Sequence, residues 1–154
     1  MLNQQLKLVD YNMNIQPPGV PTKKILVVDD NVIIVQTLSL KLKGAGYQVF
    51  TAMEGSEAVA AARQEHPDLI LMDLNFPPDL GPVPWDGFRL MEWLHRLDSA
   101  KMIPIIVITG SQDPETRNRA TDAGAVAFFQ KPIEHDKLLK VIRATLSDGT
   151  EGVV

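Results

Sequence analysis

Four short runs of residues, three of them wholly apolar and each leading to a polar group, constrain this chain more than any other feature. Leu69-Ile70-Leu71-Met72 stops on Asp73, Ile25-Leu26-Val27-Val28 on Asp29-Asp30, Ile105-Ile106-Val107-Ile108 on Thr109, and Ala127-Phe128-Phe129-Gln130 on Lys131. Consecutive apolar residues without alternation predict strands buried on both faces, as in a parallel sheet covered by helices. The carboxyl ends of such strands are where ligand crevices of open α/β sheets form. A single acid there can be a turn cap. The same ending, repeated, points to a site.

Helical patterns separate the runs. Asp30 or Asn31 can cap a helix whose Val35, Leu38 and Leu42 share one face and which ends at Gly44 or Gly46. Gln48 to Ala52 reads as a second, shorter strand. A helix from about Ser56 to His66 follows, with Ala58, Val59, Ala61 and Ala62 on its apolar face and Pro67 at its end. Beyond Asp73, residues 75–85 carry Pro77, Pro78, Gly81, Pro82 and Pro84, a density that forbids helix or ladder and predicts a loop. Asp86 caps the next helix, with Leu90, Leu94 and Leu97 inward and Arg89, Glu92 and Arg96 toward water. The fourth strand is expected from Met102 to Thr109. Asp113-Pro114 opens a helix that Gly124 ends, and a last helix is expected from about Ile133 to Leu146, with Leu138, Leu139, Val141 and Ile142 as its apolar positions. Strict alternation implies parallel strands, right-handed crossovers and helices on both faces: a three-layer (βα)5 α/β domain.

The 154 residues leave room for one such domain, expected over 23–147. Residues 1–22, closing with Pro17-Pro18-Gly19-Val20-Pro21, read as a flexible arm, and 148–154 as a short tail. No apolar run approaches the ~20 residues of a membrane span, and Met1 to Lys7 lacks the apolar core of a secretory signal. With zero cysteines, disulfides, thiolate metal sites and cysteine nucleophiles are excluded. A cytoplasmic protein is expected. Net charge is −4 and the basic residues are scattered, which disfavours direct DNA or RNA binding.

On parallel strands, Asp29, Asp30, Asp73, Thr109 and Lys131 share one edge of the sheet. Close carboxylates repel and raise a pKa unless a cation compensates. Lys131 is one candidate cation. A divalent metal is the other, and oxygen ligands without Cys or His favour Mg²⁺. A carboxylate beside Mg²⁺, a hydroxyl and a lysine suits phosphoryl transfer to the acid itself. In that scheme Asp73 is the nucleophile, Asp29 and Asp30 hold the metal, and Lys131 and Thr109 bind phosphate oxygens. No Walker A loop or Gly-rich cradle is present, so the phosphoryl group must arrive from a partner or a small phosphodonor. His66, His95 and His135 lack ligand spacing and read as surface residues; Trp85 and Trp93 read as core or loop anchors.

Asp29-Asp30, Asp73, Ile108-Thr109-Gly110 and Lys131-Pro132, in this order, resemble the receiver domain of two-component response regulators, of the stand-alone type found in chemotaxis. The resemblance covers residue 23 to about 147. It implies a flavodoxin-like doubly wound sheet of strand order 2-1-3-4-5. It further implies that Asp73 accepts a phosphoryl group from a sensor histidine kinase or histidine phosphotransfer protein. Asp30, Asp73 and the Asn75 carbonyl would ligate Mg²⁺ with Asp29 assisting. Thr109 would be the switch hydroxyl, Phe128 the switch aromatic and Lys131 the phosphate-binding lysine before a cis proline. Gly110 matches a position kept small for access, and Asn75 and Ser111 match positions that tune phosphate lifetime. Such a protein, a monomer or weak dimer, signals through protein contacts and is no enzyme beyond its own phosphorylation and slow dephosphorylation. The link from Asp73 to Gly87 is several residues longer than usual for the family. The rival reading is a Mg²⁺-dependent phosphohydrolase of the haloacid-dehalogenase type, which also forms an aspartyl phosphate. It places Asp-x-Asp after its first strand, where this chain has adjacent acids. A receiver serving only as a binding module ranks last.

Overall fold

Strands form where the sequence runs predict them: β1 (Lys24–Val28), β2 (Gln48–Ala52), β3 (Leu69–Met72), β4 (Ile105–Thr109) and β5 (Ala127–Gln130). The computed structural model describes residues 22–75 and 86–147. The arm up to residue 21, the tail from 148 and the proline-rich loop 76–85 with Trp85 lie outside these residues. All pairings are parallel, in the order β2-β1-β3-β4-β5, so the chain winds outward in both directions from the β1–β3 seam.

Among the described residues four helices cross between the strands, α1 (Val32–Gly44), α2 (Gly55–Glu65), α3 (Gly87–Arg96) and α4 (Pro114–Asp122), and a fifth, α5 (His135–Leu146), follows β5. Alternate strand residues point to opposite faces. Ile25, Val27, Leu69, Leu71, Ile106 and Ile108 meet Val35, Leu38 and Leu42 of α1 and Leu138 and Ile142 of α5. Leu26, Val28, Ile70, Met72, Ile105 and Val107 meet Ala58 and Ala62 of α2, Leu90, Met91 and Leu94 of α3, and Ala120 of α4. Each fully buried aliphatic side chain contributes roughly 1.5–3 kcal/mol. These two apolar layers hold the strand ends in place.

Helix starts follow the caps. Asn31, not Asp30, caps α1, its side chain accepting from Ile33 and Ile34 N–H. Asp86 and Asp113 cap α3 and α4, the latter with Pro114 behind it. Elsewhere the structure corrects the sequence reading. β4 starts at Ile105, because 97–103 form a series of turn hydrogen bonds that leaves Met102 exposed, and Pro104 precedes the strand. The last helix starts at His135, with Glu134 at the N-cap position making no side-chain capping bond, while Ile133 packs on the core ahead of it. β5 is an edge strand: Phe128 packs on one apolar layer and Ala127 and Phe129 on the other, but all three stay half-buried and Gln130 is exposed. Of the histidines only His66 is exposed, at the left-handed end of α2. His95 is half-buried against Gly124, whose φ is 102°; a Cβ there would lie 2.6 Å from the imidazole. His135 is half-buried beside Pro132. Trp93 packs on the core with the Arg63 guanidinium 5.4 Å from its ring centre.

Candidate functional site

One local device ends three strands. After β1, Asp29 Oδ1 accepts the backbone N–H of Asn31 at 2.8 Å. After β3, Asp73 Oδ1 accepts the N–H of Asn75 at 3.2 Å. At the end of β4, Thr109 Oγ1 accepts the N–H of Ser111 at 3.3 Å. In each, a short polar side chain mimics a backbone turn two residues on, fixing its oxygen at the strand's carboxyl end. The place is the β1–β3 seam and its neighbour β4, where winding reverses and crevices open.

Burial is severe for groups this polar: Asp29 is 3% exposed, Asp73 4% and Thr109 0%. A buried carboxylate is costly unless paired. The pair is supplied from β5. Lys131 Nζ lies 2.8 Å from Asp29 Oδ2 and 3.4 Å from Asp73 Oδ2, while its backbone N–H is anchored to the Thr109 carbonyl at 2.8 Å. The Lys131-Pro132 peptide is cis. Burial, the largest influence, raises the Asp73 carboxyl above its ordinary range. The Asn75 N–H opposes it, the Asp29 charge adds to it and Lys131 opposes it, leaving a net rise. For Lys131 burial works against the charge, but the hydrogen bond to Asp29 and the Asp73 charge outweigh it and hold the ammonium above its usual range.

Asp30 is exposed beside this pair. Ligand oxygens of Asp29, Asp30 and Asp73 lie within 4.8 Å of one another. An all-oxygen set with one member facing solvent fits a hydrated hard cation such as Mg²⁺. Asp30 and Asp73 floor an open cleft of about 630 Å³, whose walls include Asn31, Val32, Ile33, Asn75, Gly110 and Lys131.

This geometry has known counterparts. Residues 25–143 match the response regulator receiver domain. The polar-differentiation response regulator DivK of Brucella ovis is 29% identical over 127 residues, covering 82% of this chain and 98% of DivK. The solved chemotaxis response regulator CheY4 of Vibrio cholerae is 33% identical, with a TM-score of 0.72 over 82% of this chain and 100% of that one. The receiver domain of a sensor histidine kinase from Pseudomonas aeruginosa PAO1, solved with magnesium coordinated in its active-site cleft, is 25% identical with a TM-score of 0.72. It covers 83% of this chain and 100% of that one. The chain belongs to the response regulator receiver domain family. It is thus a receiver of two-component signal transduction, with the doubly wound fold that the resemblance implied.

Within this receiver the residues singled out from the sequence gather as follows. Asp29, Asp30, Asp73 and Lys131 meet directly, and Thr109 joins them through Asn75, whose Nδ2 donates to Thr109 Oγ1 at 3.2 Å. Gly110 lines the cleft, and a Cβ there would meet nothing within 4 Å. Ser111 Oγ bonds Thr116 Oγ1 of α4 at 3.1 Å. Phe128 pairs in register with Val107, two residues before Thr109, and packs against the same core layer, so both lie on the α4 side of the sheet. It is half-buried, with the Arg117 guanidinium 5.7 Å from its ring centre.

The sequence reading missed three features. The Asn75 amide crosses to Thr109 from 34 positions away. Val32 and Ile33, 50% and 72% exposed, stand as an apolar rim on the cleft. Gly87 closes on the strand end: a Cβ there would lie 2.5 Å from Leu74 Cα and 2.9 Å from the Asp73 carbonyl oxygen. Only Gly87 left a trace, as a glycine just after the Asp86 cap.

Proposed function

We propose that this receiver is a phosphoacceptor in two-component or phosphorelay signalling, taking a phosphoryl group on Asp73 from a histidine kinase or histidine phosphotransfer protein with Mg²⁺. The observation carrying this reading is a buried, ionisable Asp73 flanked by a lysine and two further acids on the floor of an open cleft. In the reaction an Asp73 carboxylate oxygen attacks phosphorus, the phosphorus–nitrogen bond of the donor phosphohistidine breaks, and the freed imidazole recovers a proton from water. Lys131, already 3.4 Å from the nucleophile, is within reach of a phosphoryl oxygen as the transferred charge develops. The Thr109 hydroxyl donates to another. When bound by Asp30, Asp73 and the Asn75 carbonyl with help from Asp29, Mg²⁺ neutralises phosphoryl charge.

Support for a protein donor comes from the apolar rim. Val32 and Ile33 border the cleft, and a second hollow of about 300 Å³, lined by Ile34, Thr37, Pro132 and Ile133 among others, adjoins it. A helix carrying phosphohistidine can cover this surface; a nucleotide would find no phosphate cradle. The reading keeps the single receiver unit over 23–147 and the cytoplasmic location expected from the sequence, with Phe128 as the residue that registers the shift of Thr109. Signalling then proceeds through protein contacts, without turnover of a small substrate.

Incubation with acetyl phosphate and Mg²⁺ should add one phosphate, labile to base and hydroxylamine, and Asp73→Asn should abolish it. Steady hydrolysis of p-nitrophenyl phosphate, lost in the same variant, would instead favour the phosphohydrolase.

A further inference from the structure

Asn75 touches both halves of the site. Its backbone N–H donates to Asp73 Oδ1, and its side-chain amide reaches from the end of β3 to the Thr109 hydroxyl at the end of β4, 3.2 Å away. Thr109 Oγ1 also accepts the Ser111 N–H at 3.3 Å. A hydroxyl has two lone pairs and one proton. Both lone pairs are therefore engaged, and no hydrogen bond joins Thr109 to Asp73 among the described residues.

We propose that Asn75 is a latch: its amide holds the Thr109 hydroxyl in the resting arrangement, and a phosphoryl group on Asp73 must overcome that hold to draw the hydroxyl in. The inference rests on the phosphoacceptor reading and adds a restraint to it. Thr109 is wholly buried at a strand end, so small displacements of its hydroxyl are governed by these few hydrogen bonds. The Asn75 bond is neutral and long, whereas a hydrogen bond to an ionised phosphoryl oxygen is roughly twice as strong. The phosphoryl oxygen takes the hydroxyl proton while Asn75 holds a lone pair, so the two oppose each other over where the Thr109 oxygen sits. The stronger bond moves it, and the latch sets how much of that binding energy is used to do so. Asn75 is thus a positioning residue acting through Thr109.

The side chain is separable from the turn that carries it. The bond to Asp73 is made by the backbone and survives truncation, and Asn75 is exposed, so Asn75→Ala leaves no internal cavity. The variant removes the link to Thr109 alone.

The test uses the full ¹⁵N-labelled chain as wild type, Asn75→Ala, Thr109→Val and the double variant, with and without Mg²⁺ and beryllofluoride as the phosphoryl mimic. Saturated wild type defines the switched end point. In Asn75→Ala without the mimic, the Ser111 and Phe128 amides should move part of the way along the line to that end point. Half-saturation by beryllofluoride should fall about fivefold, equivalent to one neutral hydrogen bond of ~1 kcal/mol. In the Thr109→Val background the same substitution should change neither quantity, because the bond it removes is already absent. Wild-type amide positions with unchanged half-saturation in Asn75→Ala overturn the latch. So does an equal effect with and without the Thr109 hydroxyl, which assigns it to the surroundings of Asp73. A wild-type chain that shows no response to beryllofluoride around Asp73 and Thr109 overturns the phosphoacceptor reading itself.

Discussion

At the carboxyl end of the sheet stand Asp29, Asp73 and Thr109, the buried polar residues among those described. At the amino end the same strands begin with ordinary surface chemistry. Lys24 N–H donates to Asp68 Oδ2 at 2.8 Å, its ammonium donates to the Glu65 carbonyl at 3.1 Å, and Met102 and Val126 are left exposed. Both ends connect strands to helices, yet only one buries two carboxylates around a single ammonium. An apolar replacement of such a pair is often neutral or stabilising, so folding does not require it. Polar burial confined to one end of a symmetric framework marks where local rules have been set aside for function.

Removing the central ammonium should give the largest contrast between the ends. Lys131→Met strips the partner from Asp29 and Asp73 and should cost ~3 kcal/mol in urea denaturation, with phosphorylation by acetyl phosphate slowed ~100-fold. Lys24→Met at the amino end should cost less than ~1 kcal/mol and leave the rate unchanged. Equal costs would erase the distinction.

Backbone packing should show the same asymmetry more weakly. Gly87→Ala drives a methyl into the Leu74 and Asp73 backbone and should destabilise by ~2 kcal/mol. Gly44, toward the amino end, has nothing within 4 Å of a built Cβ, and Gly44→Ala should be neutral or stabilising by up to ~1 kcal/mol. Thermal denaturation of the two variants side by side checks this.

The smallest effect sharpens the electrostatic half of the comparison. The folded chain holds Asp73 with a raised pKa, so it binds that proton more tightly than the unfolded chain does. Ionised Asp73 therefore costs stability above its folded pKa, and the cost fades as pH falls through that value toward the unfolded one. With EDTA present, Asp73→Asn should be more stable than wild type at neutral pH, and the gap should narrow on acidification. A gap that widens on acidification would mean Asp73 is held below its ordinary pKa.

What was legible in the sequence was local. Gln48–Ala52 and Ala127–Gln130 have the bounds expected, and Asp86 and Asp113 cap as expected, because a turn or cap is written in neighbouring residues. The apolar character of Met102 favours its inclusion in β4 but cannot reveal that Leu97 to Ile103 tie one another into turns. β5 resembled a central strand because an edge is a property of the sheet, not of the strand. In the site, parallel topology alone was enough to bring Asp29, Asp73, Thr109 and Lys131 to one edge. That Lys131 sits nearer Asp29 than Asp73, that Asn75 reaches Thr109, and that Gly87 touches Leu74 depend on ångström-scale distances between loops far apart in sequence.

The central claim is that the carboxyl end exists to make Asp73 an acceptor. It is tested most directly by reducing the chain with borohydride after acetyl phosphate and Mg²⁺ treatment, which converts an aspartyl phosphate to homoserine, and mapping the peptides by mass. The account predicts homoserine at position 73, with Asp29 and Asp30 intact. Homoserine at 29 or 30, or an unmodified position 73 in protein that has gained a phosphate, would contradict it.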